Sequence, residues 1–160
     1  MRWFLVTWTT YGSWLPGDSR GFRSRHHKID VAPPERYSNF TGSYNPIEWK
    51  KLYGHSKLSC KREVQLDRQQ REFVERRVSE IAAECGCSVY AVSVGDRHIH
   101  LLVSDGKYDL PKVVQRLKGV SSRELADYGL SGRVWARGYR IRVISPDSLE
   151  LTKRYVLQHK

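Results

Sequence analysis

The 160-residue chain is 39% hydrophobic and 28% charged, a balance that excludes a membrane-embedded protein and a disordered tail, and its length suits one domain with a real core. Its 28 Lys and Arg against 17 Asp and Glu give a net charge of +11, which points to a polyanionic partner, nucleic acid ahead of an anionic membrane surface. Five Trp, nine Tyr and four Phe accompany that charge, and aromatic faces beside cations suit unpaired bases. Cys60, Cys85 and Cys87 form no even framework, as expected in a reducing compartment, and Cys85-Gly-Cys87 lacks the second Cys/His pair of a zinc knuckle. With no cleavable leader and no apolar run near the ~18 residues of a membrane span, a cytoplasmic, nucleoid-associated location without membrane contact is expected.

Residues 3–10 are aromatic and β-branched and read as a strand. Tyr11-Gly-Ser-Trp-Leu-Pro-Gly-Asp18 is turn-rich, and residues 19–62 read as irregular, with Pro33-Pro34, Gly42 and Asn45-Pro46 as markers. Residues 1–66 hold 11 basic and 5 acidic side chains against 17 and 12 in the rest. The expectation is therefore one domain over 1–160 carrying a basic irregular insertion at about 11–66. Residues 67–85 follow helical spacing, with Val74, Val78, Ile81, Ala82 and Cys85 on one face and Gly86 as the stop. Cys87–Val94 and Arg97–Ser104 read as a hairpin around a Gly95-Asp96 turn.

Leu110, Val113, Val114 and Leu117 mark a second amphipathic helix, and the Ser121/Glu124 spacing suggests a further short helix ended by Gly129. Residues 133–144 read as a strand bent at Gly138, and Ser145-Pro-Asp147 starts a last helix running almost to Lys160. Strands interleaved with helices around one tight hairpin predict an α+β, ferredoxin-like (RRM-like) antiparallel sheet with helices packed on it.

His98 and His100 alternate with Ile99 and Leu101 on the second hairpin strand, so both imidazoles share one face and can meet at one divalent ion. The bland alternative is a pair of solvent-facing histidines. Tyr155 and His159 stand at i and i+4 on the last helix. If that helix crosses the hairpin, His159 completes the donor set and Tyr155 points at the same place. Arg133, Trp135, Arg137, Tyr139, Arg140 and Arg142 stand together without an acid among them. Arg137 and Arg140 are expected near nucleic acid, and Arg20, Arg23, Arg25 and Lys28 make the insertion resemble a basic arm.

His98-Ile-His-Leu-Leu-Val103, Val114-Gln-Arg-Leu-Lys-Gly119, Val134-Trp-Ala-Arg-Gly-Tyr139 and Tyr155-Val-Leu-Gln-His159 together resemble the single-tyrosine HUH transposases. The chain is most similar to their REP-associated tyrosine transposase group, of which Tyr11–Asp18 looks like an N-terminal signature. The resemblance covers 1–18 and 87–160 and leaves 19–66 unmatched. It implies His98 and His100 as metal ligands of an HUH motif on the hairpin strand. It also implies Tyr155 as nucleophile. The basic and aromatic residues themselves, not the resemblance, give Trp135, Lys118, Arg137 and Arg140, with Arg23 and Arg25 of the arm, as the expected DNA-binding positions. Family members carry Gln or Asn four residues after the Tyr, where this chain has His159. A nitrogen-rich set suits Mn²⁺ or Zn²⁺, whereas Mg²⁺ prefers oxygen; the resemblance favours Mg²⁺ or Mn²⁺.

The implied activity is metal-dependent cleavage and strand transfer on single-stranded, hairpin-containing DNA through a 5′-phosphotyrosine, that is, DNA transposition, with a homodimer as one possible assembly. Two other readings stay open. One is a non-catalytic ferredoxin-like nucleic-acid binder, although no aromatic-Gly-aromatic signature stands on the central strands. The other is a three-His zinc hydrolase, for which Asp96 is the nearest acid in sequence.

Overall fold

The strand β1 (Trp3–Thr9) alternates half-buried and buried side chains along its whole length, as a strand does between a thick layer and a thin one. The computed structural model describes residues 1–15, 17–18, 22–23, 30–31 and 46–159. Two short strands, β2 (Phe22–Arg23) and β3 (Asp30–Val31), pair with each other, and α1 (Pro46–Ser59) follows. After α2 (Arg68–Glu84) come β4 (Val89–Val94), β5 (His98–Ser104), α3 (Leu110–Glu124), β6 (Arg140–Ile144) and α4 (Leu149–Gln158).

The main sheet has the order β4-β5-β1-β6 with antiparallel neighbours throughout. With α2 linking β1 to β4 and α3 linking β5 to β6, this is the ferredoxin-like α+β order that the sequence predicts. Phe4, Val6 and Trp8 of β1 and Ile99, Leu101 and Val103 of β5 join Val74, Val78 and Ile81 of α2 and Val113, Val114 and Leu117 of α3 in the main core. The other face holds a small second core of Ala91, Leu102, Ile144 and Val156, with Leu5, Tyr90 and Leu149 against it. There α4 packs on β4 and β5.

Helix α2 begins with a full capping box, the Asp67 carboxylate accepting from the Gln70 amide and the Gln70 side chain accepting from the Asp67 amide. It ends before Gly86, whose φ of 74° is the left-handed conformation that a helix stop requires. Arg77 ties α2 to α3 by donating from Nε and Nη2 to the two carboxylate oxygens of Glu124, at 2.7 and 3.2 Å.

The chain divides into two units, Met1–Tyr11 with Val64–Lys160, and Gly12–Glu63. The second contains α1, where the sequence suggested irregular chain. Its apolar residues form no clean stripe, and Asn45-Pro46 reads equally well as a loop mark and as a helix start, since Pro is tolerated in the first turn. Within that unit Gly17, at φ 87°, runs so close to α1 that a Cβ would lie 2.2 Å from the Trp49 carbonyl oxygen.

Three further expectations are corrected. Ser121 caps no separate helix: α3 runs unbroken to Glu124 and tightens into a 3-10 turn over Leu125–Tyr128, while the buried Ser121 hydroxyl bonds the Leu117 carbonyl. The hairpin turn lies one residue later than expected, because the Gly95 amide donates to the His98 carbonyl and leaves Asp96 and Arg97 at its tip. Residues 133–144 are not one strand; Trp135 makes a single bridge to Thr10, and regular pairing resumes only at Arg140.

Val156 is the one fully enclosed side chain of α4, whereas Leu151 is 72% exposed. Val156→Ala is expected to cost about 2 kcal/mol of local stability. Hydrogen exchange should show this as faster exchange over α4 with α2 unchanged.

Candidate active site

Burial of Ile99, Leu101 and Val103 in the main core turns His98 and His100 to the opposite face of β5. Their ring centres are 5.0 Å apart. His98 lies over Gly95, where a Cβ would come 3.0 Å from its Cε1. The absence of a side chain there makes room for the imidazole, a role that sequence reading missed because Gly95 looked like turn chemistry alone.

Helix α4 delivers Tyr155, and its cap residue is His159. Tyr155 lies 5.4 Å from His100 and 4.2 Å from His159, and His159 lies 5.0 Å from His100 and 6.3 Å from His98, ring centre to ring centre. The end of α4 is pinned by Ser93, a fully buried β4 residue opposite His100, whose hydroxyl donates to the His159 carbonyl. Nothing in the sequence marked Ser93, since its partner is 66 residues away. His159 Nδ1 lies 3.0 Å from the Tyr155 carbonyl oxygen, so this nitrogen carries the proton and Nε2 is left as the donor atom.

His98 Nε2 and His100 Nδ1 are buried and have no hydrogen-bond partner. Burial, then the neighbouring His98 and His159, push His100 down to about 4, and burial followed by His159 lowers His98. Both rings are therefore neutral at pH 7 and able to ligate. A metal–nitrogen bond of about 2.1 Å puts each ring centre about 3.2 Å from a shared ion. The 5.0 Å pairs then correspond to about 100° at the ion, whereas 6.3 Å between His98 and His159 demands a nearly linear arrangement. The histidine pair, and His100 with His159, fit an ion. Among the described residues no three donors form a finished metal cage.

The register sets the surroundings. Ser93, His100, Thr7 and Arg140 form one row across the four strands, and Ala91, Leu102, Leu5 and Arg142 the next. Arg140 and Arg142 therefore share the histidine face, and both are exposed. Arg137 is exposed in the segment before β6. Trp135, expected at the nucleic-acid surface, is instead 5% exposed in the main core, its indole N–H donating to Ser121 Oγ at 3.1 Å. Lys118 spends its ammonium on the carbonyls of Ala136, Arg137 and Gly138. Arg23 is on β2, and Arg25, with Arg20 and Lys28, lies outside the described residues.

The family model for IS200-like transposases matches residues 48–159. The chain belongs to that family. Membership carries DNA transposition as the activity, and with it DNA binding and DNA cleavage. A crystal structure of a candidate transposase from Deinococcus radiodurans superposes with a TM-score of 0.50 at 15% identity, over 99% of this chain and 92% of that one, a likeness of fold. No curated protein sequence matches. No helix among the described residues is long and apolar enough to cross a membrane.

Two outcomes are expected for this transposase. Because His100 has its pKa lowered by folding, its contribution to stability is complete above pH 6.5 and is lost as pH falls toward about 4. Urea unfolding of metal-free protein should lose about 2 kcal/mol over that interval, after discounting for partial exposure, and His100→Gln should flatten the slope. Gly95→Ala would bring a Cβ to 3.0 Å from His98 Cε1 and should displace that ring; a shift of the His98 ring resonances in NMR spectra measures it, with thermal unfolding as the control.

Proposed function

We propose that this transposase cleaves and rejoins single-stranded DNA through Tyr155, with His98 and His100 holding a divalent ion that His159, 6.3 Å from His98 ring centre to ring centre, would join only after its ring shifts. The observation that carries the reading is the convergence of four rings, two from β5, one from α4 and one from its cap residue His159, with the Tyr155 ring centre 5.4 Å from that of His100. Two buried imidazole nitrogens without a partner support the ligand role, since a buried polar atom left unpaired calls for a ligand or ion.

In the proposed step the Tyr155 oxygen attacks the phosphorus. The Oη–P bond forms as the P–O3′ bond breaks, the phenol proton leaves to solvent, and the departing oxygen takes up a proton to become a 3′-OH. The 5′-phosphotyrosine keeps the ester's energy, so a 3′-OH can reverse the reaction without a nucleotide cofactor. A divalent ion held by His98 and His100 would offset negative charge on the phosphate. The chain's own part is positioning: β5 fixes two imidazoles, Ser93 fixes the end of α4, and Tyr155 stands one helical turn before His159. Tyr155 is 43% exposed, open to an incoming strand.

Mn²⁺ or Mg²⁺ is the proposed working ion, with Zn²⁺ able to bind a nitrogen-rich set. The REP-associated subgroup and a hairpin substrate are proposed from the Tyr11–Asp18 stretch and the ordered motifs.

Tyr155→Phe should abolish the denaturant-resistant adduct between protein and end-labelled hairpin DNA, a loss on the order of 10³-fold or more, with DNA affinity unchanged. An adduct that persists would move the nucleophile, with Tyr128 and Tyr139 next in line. Affinity indifferent to EDTA, without any adduct, would favour the non-catalytic binder.

A further inference from the structure

The segment between Trp135 and β6 is swollen. Thr10 bridges Trp135, and the Ala136 amide donates to the Thr9 carbonyl at 3.0 Å, yet regular pairing resumes only at Thr7 and Arg140. Three steps along β1 are thus matched by five along the partner segment. The ammonium of Lys118, reaching from α3, sits inside the swelling. It donates to the carbonyls of Ala136 at 2.6 Å, Arg137 at 3.1 Å and Gly138 at 3.0 Å. A lysine has three donors, and here each has its acceptor. The Tyr139 ring centre lies 5.6 Å away.

The peptide bonds are trans. In a planar trans peptide the N–H points opposite to the C=O of the same unit. Carbonyls 136, 137 and 138 turned onto one ammonium therefore turn the amides of Arg137, Gly138 and Tyr139 away from it. None of these three amides donates to a protein acceptor among the described residues. Arg137 and Gly138 are exposed, so the outer surface of the swelling carries three amide N–H groups and a guanidinium. Thr9, which holds the first residue of this segment, is also the register partner of His98. The swelling thus begins two strands, or about 10 Å, from the histidine.

We propose that Lys118 is a positioning residue that folds 136–139 into a phosphate-binding knob, whose outward amides and Arg137 hold the phosphodiester backbone of the DNA strand beside the histidine face. The inference rests on the DNA-cleavage reading and adds to it a named contact with the substrate. Backbone amides and arginines are the usual partners of nucleic-acid phosphates. The inward carbonyls would repel a phosphate if they were released, and the ammonium both fixes and neutralises them. Burial, then the nearby Arg133, bring Lys118 down to about 8, which still leaves it mostly charged at pH 7.

The test uses the full chain, Mn²⁺ and a fluorescent single-stranded hairpin oligonucleotide. Lys118→Met should raise KM for cleavage about tenfold, leave kcat within about twofold, and shrink the slope of log affinity against log salt by about one, the signature of one lost phosphate contact. Arg137→Ala, an exposed change with no folding burden, should reproduce the KM and salt effects. A folded Lys118→Met with unaltered KM and salt slope overturns the proposal, as does a fall in kcat alone. If Lys118→Met does not fold, an Arg137→Ala variant with wild-type KM and salt slope overturns it. Wild-type protein that neither binds nor cleaves the oligonucleotide would sink the DNA-cleavage reading itself, whereas active wild type with indifferent variants sinks the knob alone.

Discussion

The site depends on side-chain alternation along β5. Ile99, Leu101 and Val103 are fully buried in the main core, and removing each from water is worth about 2–3 kcal/mol. A slip of one residue would take all three out of the main core and drive two imidazoles into hydrocarbon. The histidines are therefore held where they are by the residues between them. Pairing with β1 on one side and β4 on the other leaves β5 no freedom to tilt. The same register carries Thr7 and Arg140 into line with His100, so one hydrophobic constraint places both the chemistry and the basic strand that accompanies it.

Helix α4 is held differently. It encloses one side chain fully and is fastened by polar contacts at its two ends. Near the start, the Tyr90 hydroxyl bonds Glu150 and the Lys153 ammonium lies over the Tyr90 ring; at the finish, Ser93 takes the His159 carbonyl. Satisfying a helix-terminal carbonyl with a buried hydroxyl removes one of the orphan acceptors that every helix leaves. It also sets the axial position of the helix, and with it the heights of Tyr155 and His159 above the sheet.

Where a pattern is local, the sequence was legible. The face of α2, its Gly86 stop, the hairpin and the i, i+4 placement of Tyr155 and His159 all follow from spacings of a few residues, and the structure has them. The errors share a cause. Trp135 stands among arginines in the sequence, and that company suggests a surface aromatic; the swelling after it and the hydroxyl of Ser121 fourteen residues earlier make it a core residue. Ser121 was read as a cap because Ser/Glu spacing is local, yet its environment is set by that indole. Lys118 was counted with the DNA-facing cations by charge and motif, and its carbonyl partners are 18 to 20 residues on. Buried polar contacts made across the fold leave no periodic trace.

The Tyr11 carbonyl accepts the Val64 amide at 2.9 Å, and the Tyr11 amide donates to Val134. The chain thus departs from the sheet and rejoins it at nearly the same point, with Gly12–Glu63 strung between. Because the entropic cost of closing a loop rises only logarithmically with its length, a pinched neck of this kind tolerates large changes in what hangs from it. Accessory sequence can be lengthened, trimmed or exchanged there at a small entropic cost to the sheet.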